Sequence, residues 1–410
     1  DQTWLDLLKF KASFGQNGND NIDTDYYINY TDFYSISGAN GVWSDSELAY
    51  KGNPDITWEK SNNFNVGIDF SLWNGKLSGS AEYYLRQTSD MLFNLPVAPS
   101  LGYSSIPKNV GSMRNSGFEL SLNYRAVHTK DITLEVFANA TMPKNRIVSL
   151  DPSILNEDGS WEANSSRLVT PGKSFYTRWL VHYAGVDENG SAQYVARRNA
   201  LDDLGNPIVI GYKDAEQKEP IYKTEEYNTS DWAAAYNTNR KQTKDLLPNV
   251  YGGFGVNMEA YGFDLSVGLS YQLGGTIYDS SYAAYMNPGT ELGNTWHKDM
   301  LNAWTPDNTN TDVPRMGTSG DLVQYATSVS DRFLISSDYL ALNNITVGYT
   351  IPERLVKKLG LSSLRCYFAA ENVALVSARK GLDPRQSFIS SNTSTYSPIR
   401  TFTGGLRLSF

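Results

Sequence analysis

The sequence predicts an all-β fold: a transmembrane antiparallel β-barrel, of which this chain supplies about ten to twelve strands. Three observations predict it. Apolar and polar residues alternate with period two in ten segments. Tight turns and long polar stretches alternate between those segments. No run approaches the roughly 18 apolar residues that a membrane-crossing helix needs, whereas a spanning strand meets lipid with only every second residue. Composition agrees: 27 Tyr, 33 Gly, one Cys and three His among 410 residues favour strands and turns over helices.

The first strand shows Leu8, Phe10, Ala12 and Phe14 with Lys9, Lys11 and Ser13 between them. The second carries Phe64, Val66, Ile68, Phe70 and Leu72, and the third covers 77–85. A type I′ turn at Asn74-Gly75 would set Leu72 opposite Leu77, Phe70 opposite Gly79, Ile68 opposite Ala81, Val66 opposite Tyr83 and Phe64 opposite Leu85. A slip of one residue would break every match. Strands at 118–124 and 132–140 follow, then 254–258 and 263–273 about a second such turn at Tyr261-Gly262, pairing Val256 with Val267 and Phe254 with Leu269. Segments 340–349, 364–368 and 402–410 complete the series. The region 143–250 supplies either no wall strand or two, the candidate pair being 175–183 and 191–195 around "DENG".

Connections at 73–76, 126–131 and 260–262 are tight and that at 351–362 is modest; long loops fall at 15–56, 87–113, 144–172, 198–249, 274–337 and 377–399. Short turns on one rim and long loops on the other suit an outer-membrane barrel better than a soluble sandwich. Trp73, Tyr124, Tyr261, Tyr349 and Phe410 lie at the short-turn ends, where an aromatic girdle belongs. The competing fold is a soluble β-rich protein whose polar face meets bulk water.

Other classes are excluded or weakened. A net charge of -9 without a basic cluster argues against nucleic acid. Cys366 has no partner for an internal disulfide and reads as a small apolar filler on a strand. His128, His182 and His297 sit in no nucleophile-base-acid pattern, zinc spacing is absent, and no phosphate-binding Gly loop opens a helix, so the chain does not read as an enzyme. "NGNDNIDTD" (17–25) and "TPDNTNTD" (305–312) are oxygen-rich enough for Ca²⁺ but lack the twelve-residue loop with its Glu, and read as turns. Asp1 is neither a Met nor the start of a signal sequence, so the chain reads as a processed or truncated piece.

Several long blocks resemble a known family: "GNPDITWEKSNNFNVGIDF" (52–70), "NGKLSGSAEYYLRQTSDML" (74–92), "NVGSMRNSGFELSLNY" (109–124), "SDRFLISSDYLALNNITVGYTIP" (330–352), "LRCYFAAENVALVSARKGLDPR" (364–385) and the closing strand. They are similar to the C-terminal half of the SusC/RagA-type TonB-dependent outer-membrane transporters. The resemblance implies the C-terminal portion of a plugged barrel of about 22 strands, energised through TonB and working with a SusD-like lipoprotein. Import of oligosaccharides is implied, or of peptides in RagA-type members, by a dimer of transporter-lipoprotein pairs in the outer membrane of a Gram-negative bacterium. Long loops would be extracellular and the C-terminus periplasmic. The plug and N-terminal strands of that pattern are not in this sequence, so a second polypeptide, or an N-terminal half of the same transporter, would complete the wall. An outer-membrane adhesin or enzyme with a self-closing barrel is the alternative.

Within this frame Phe410 resembles the terminal aromatic read as an assembly signal. The polar phase (Asn63, Asn65, Asp69, Ser78, Ser80, Glu82, Glu119, Ser121, Asn123, Asp264, Ser266, Gln272) would face a lumen. The loops hold aromatic clusters: Tyr26, Tyr27, Phe33 and Tyr34, followed by Trp43, and further on Tyr282, Tyr285 and Trp296. Sugar rings present apolar C–H faces and hydroxyl edges, which aromatic platforms beside Asn and Asp suit. The alternative for the same residues is loop packing or contact with the lipoprotein.

Overall fold

The structure, a computed structural model, describes residues 4–19, 32–39, 42–103, 105–214, 216–286, 295–317, 330–386 and 398–410. Ten strands form one antiparallel sheet in which each lies beside its predecessor in the series. They are β1 Leu5–Asn19, β2 Glu59–Leu72, β3 Leu77–Ser89, β4 Ser112–His128, β5 Ile132–Ser149, β6 Val250–Ala260, β7 Phe263–Leu273, β8 Tyr339–Thr350, β9 Ser363–Ser377 and β10 Thr401–Ser409. All ten predicted segments are therefore wall strands, and most run further than the alternation alone suggested. No helix among the described residues is long and apolar enough to cross a membrane.

Register follows the side chains. Leu72 faces Leu77 and Phe64 faces Leu85, and in the β6–β7 hairpin Val256 faces Val267 and Phe254 faces Leu269, as predicted. Both turns have positive φ at their two central positions, 56° and 73° at Asn74-Gly75 and 51° and 87° at Tyr261-Gly262. That backbone matches the right-handed twist of the strands it joins. One row runs across the whole sheet: Leu5, Leu72, Leu77, Tyr124, Val136, Val256, Val267, Ile345, Ala370 and Phe402, each opposite the next. No polar residue interrupts it. Phe10, Phe14, Val136, Val347, Phe368 and Leu406 on this face are exposed, which in water would form an apolar patch far beyond what a soluble protein shows. Lipid is the solvent such a face requires.

The buried cores lie almost wholly outside the wall, Ile147 of β5 being the wall residue among those named. Leu95, Ile147, Leu150, Ile154 and Val169 form one; Val181, Ala192, Tyr194, Ala196 and Ala235 a second; Leu180, Tyr278, Met286, Met300 and Phe333, with their neighbours, a third. All three are built mainly from the long connections, which thus form a packed layer. The candidate pair at 175–183 and 191–195 is corrected here. A hairpin does form about "DENG", Tyr183–Val186 with Ala192–Asn199, but it pairs onward with Thr224–Thr229 in a separate small sheet. Its residues Tyr194 and Ala196 are buried against the short helix Trp232–Thr238, so the strand's apolar side packs on protein and never reaches lipid. Cys366 is also corrected. It lies exposed on the apolar face between Tyr349 and Leu406, not packed as filler.

Candidate functional site

The second phase of each strand makes a continuous polar face. Lys11 of β1 reaches over Gly67 of β2 to Glu82 of β3, with Nζ 2.5 Å from its Oε1 and 2.7 Å from Asp69 Oδ1. A side chain at Gly67 would occupy that path, since its Cβ would lie 2.7 Å from Glu82 Cγ. The same device recurs near the short turns. Arg365 of β9 donates to Asp264 of β7 across Gly348 of β8, Nε to Oδ1 at 2.8 Å and Nη2 to Oδ2 at 2.5 Å. A Cβ at Gly348 would stand 2.4 Å from that carboxylate. This end holds a 590 Å³ cavity lined also by Lys130, Asp131, Glu259 and Tyr261.

Toward the long connections the polar face becomes amide-rich. Asn63 Oδ1 accepts from Arg86 Nε at 2.8 Å, and Asn145 Nδ2 donates to Asn115 Oδ1 at 2.7 Å. Asn145 Oδ1 also takes the Phe175 amide at 2.8 Å, tying the wall to the packed layer. A 770 Å³ cavity is lined here by Asn63, Asn65, Tyr84, Arg86, Asn115 and Glu119 together with Tyr176 and Leu247. Leu247 also borders a 790 Å³ cavity among the long connections, lined by His182, Lys241, Lys244, Asp245, Asp331 and Asp338. The two cavities therefore adjoin.

Ion pairs and rings anchor the layer. Asp279 is 2% exposed and accepts from Arg379 Nε at 2.9 Å and from the Tyr282 amide at 3.0 Å, while Arg379 lies over the Tyr282 ring. Arg240 grips Glu162 with two bonds, 2.6 and 2.8 Å. Burial, and then its bond to Asp299, pushes the Tyr282 hydroxyl up to about 12, so it stays protonated and donates to Asp299 Oδ2 at 2.8 Å. Burial likewise lifts Tyr278 to about 12. His182 Nδ1 lies 2.5 Å from Asp331 Oδ2, and Asp331 Oδ1 takes the Tyr183 amide at 2.8 Å. That is a clamp between two connections. It offers hydrogen bonds and charge to a ligand rather than an attacking atom.

The predicted site residues separate into groups. Tyr26 and Tyr27 lie outside the described residues. Phe33 and Trp43 fall on a small hairpin, Phe33–Ala39 with Val42–Tyr50, where Tyr34 is exposed. Tyr282 is a packing residue, edge-on to His297 and Phe333. Tyr285 and Trp296 are exposed, and the chain segments that carry them are tied together by the His297 amide, which donates to the Tyr285 carbonyl at 2.9 Å. The "TPDNTNTD" stretch uses its polar groups inside a turn: Asn308 Nδ2 donates to the Asn302 carbonyl at 3.1 Å and Thr311 Oγ1 to the same carbonyl at 2.6 Å. Among the described residues no three His, Cys, Asp or Glu gather as metal ligands. Reading the sequence missed the charged cavity, since Lys241, Asp245, Asp331 and Asp338 come from connections far apart in the chain and share no local pattern.

Phe410 is 92% exposed, so it contributes almost no packing here. Its deletion is expected to lower the yield of assembled protein in the membrane, without lowering the thermal midpoint of what does assemble. Quantifying the heat-modifiable band and its melting curve checks this; a lowered midpoint at normal yield would assign Phe410 to stability instead.

The model of the family described as TonB dependent receptor-like, beta-barrel matches residues 3–257. The chain is 27% identical to TonB-dependent receptor P3 of Formosa agariphila, covering 100% of this chain and 40% of that protein. It is 26% identical to TonB-dependent receptor SusC of Bacteroides thetaiotaomicron, covering 99% of this chain and 38% of that one. Among solved structures it is similar to the RagAB peptide transporter, with 26% identity and a TM-score of 0.77 over 100% of this chain and 42% of that chain. The chain thus spans about 40% of the length of the curated relatives it matches. Their names are those of receptors, not of enzymes.

Proposed function

This chain belongs to the TonB dependent receptor-like β-barrel family, and from that we propose that it forms the C-terminal part of an active importer in a Gram-negative outer membrane. The importer is of SusC/RagA type, energised through TonB, and takes up oligosaccharides with a SusD-like lipoprotein over the long-connection rim. An N-terminal half of the same protein completes the wall, and two transporter-lipoprotein pairs assemble as a dimer. The long connections are extracellular and the C-terminus is periplasmic.

One observation carries the reading. An apolar outer row spans ten strands without a break, and behind it a polar face leads into adjoining cavities of 770 and 790 Å³, the second lined by the long connections. A wall wet on one side and oily on the other, closed above by ordered protein, suits selective passage. Exposed Tyr34, Tyr285 and Trp296 on the layer favour a sugar ligand. The charged lining of the upper cavity favours a second reading, a peptide, whose termini and side chains would meet Lys241, Lys244, Asp331 and Asp338.

Calorimetric titration of the whole transporter with a panel of oligosaccharides and peptides tests this. Binding by oligosaccharides alone supports the first reading and binding by peptides alone the second. Recovery of a lone stable 45.6 kDa barrel with neither lipoprotein nor N-terminal half would sink both. Tyr285→Ala and Trp296→Ala are expected to weaken oligosaccharide uptake about 3- to 10-fold each, the scale of one aromatic contact. Because both rings are exposed, melting should not change. Unaltered uptake in both variants removes the ligand role from this pair.

A further inference from the structure

On the outer face of β4 and β5 the apolar band ends abruptly in cations. Phe118 faces Met142; two residues further along, Ser116 faces Lys144; two further, Arg114 faces Arg146. No register shift intervenes, so all six side chains share the lipid-facing side. The opposite side at this level is the amide pair Asn115 and Asn145, turned into the protein. Phe118 and Met142 are exposed, as are Arg114, Lys144 and Arg146.

Like charges directly opposed on a sheet repel and destabilise the pair. No carboxylate among the described residues relieves this one. Arg114 donates to the neutral Gln87, with Nη2 at 2.8 Å, and none of the three cations has a carboxylate within salt-bridge reach among the described residues. Besides each other, their neighbours in register are Gln87, opposite Arg114, and Ser116, opposite Lys144. Lys60, further along the face, is already held by Asp90 at 2.9 Å. No described residue supplies the counter-charge, and the three cations open to the lipid side.

We propose that Arg114, Lys144 and Arg146 hold the phosphorylated headgroup of a lipid in the leaflet at the long-connection rim. Two guanidinium groups side by side fit phosphate oxygens through paired N–H donors, and the Lys144 ammonium adds a point charge below them. The continuity with Met142 and Phe118 identifies the occupant as a lipid, not a free anion: its acyl chains run down the apolar row while its head sits on the cations. This site is separate from the polar face, so its failure leaves the uptake assays above untouched.

The test uses the full-length transporter in neutral detergent, titrated with lipid A, with dephosphorylated lipid A and with inorganic phosphate. Retained lipid is read by native mass spectrometry. Wild type should retain lipid A about a hundredfold better than its dephosphorylated form, and the R114Q/K144Q/R146Q variant should lose that preference. Inorganic phosphate should not displace the lipid. Equal retention of the two lipids, an undiminished preference in the variant, or displacement by inorganic phosphate would each overturn the proposal. If the triple variant fails to assemble, R146Q alone should bind lipid A about fivefold more weakly, and unchanged binding would overturn it equally.

Discussion

Replacing Arg379 by alanine is expected to destabilise the packed layer by about 3–5 kcal/mol, the cost of stripping a buried carboxylate of its partner. Asp279, 2% exposed, follows the short strand Thr276–Tyr278 and caps the helix Ser280–Tyr285 through the Tyr282 amide. Arg379 comes from the connection after β9 and is the cation that meets Asp279, so one side chain joins two connections a hundred positions apart. Its loss leaves a charge in a low-dielectric site and uncovers the Tyr282 ring. The wall should survive, since its hydrogen-bond ladder is independent of this contact. Limited proteolysis should then cut the 377–386 connection while the heat-modifiable band persists. The double variant Asp279→Asn, Arg379→Met should recover most of the loss, because it removes the charge together with its partner. Proteolysis at wild-type rate in Arg379→Ala would show that the pair is dispensable.

Val136→Arg should cost about 1–3 kcal/mol, the penalty for a cation on the lipid face between the girdle row and the bilayer midplane. Val136 lies in the unbroken apolar row between Tyr124 and Val256 and is exposed on that face. Ser121→Arg is the control, since Ser121 lies on the polar face between Ser80 and Asn139, where an added charge meets water. Folding yield into liposomes should fall for the first and hold for the second. Equal yields would remove the assignment of lipid to the apolar side, and with it the membrane reading.

The wall was legible because strand structure is local. Alternation in Phe64 to Leu72, the Asn74-Gly75 turn and the partners in 77–85 lie within about twenty-five residues, so the register could be solved from neighbouring side chains. The layer was not legible for the opposite reason. The hairpin Tyr183–Val186 with Ala192–Asn199 turns about "DENG" as a wall hairpin would, and its pairing with Thr224–Thr229 and burial against Trp232–Thr238 take it out of the sheet. Loop aromatics posed the same difficulty. Tyr282 and Tyr285 are three residues apart and alike in composition, yet one is locked on Arg379 and Asp299 while the other is exposed.

The amino-acid sequence by itself determined which segments are strands, which face of each is apolar, and how adjacent strands align, because those follow from period-two contacts between residues near in the chain. Only the tertiary structure decided which hairpin leaves the wall, which aromatics remain free for a ligand, and that Lys241, Asp331 and Asp338 share one cavity. Those are contacts between distant segments, and their energies depend on burial and on partners that no local pattern encodes.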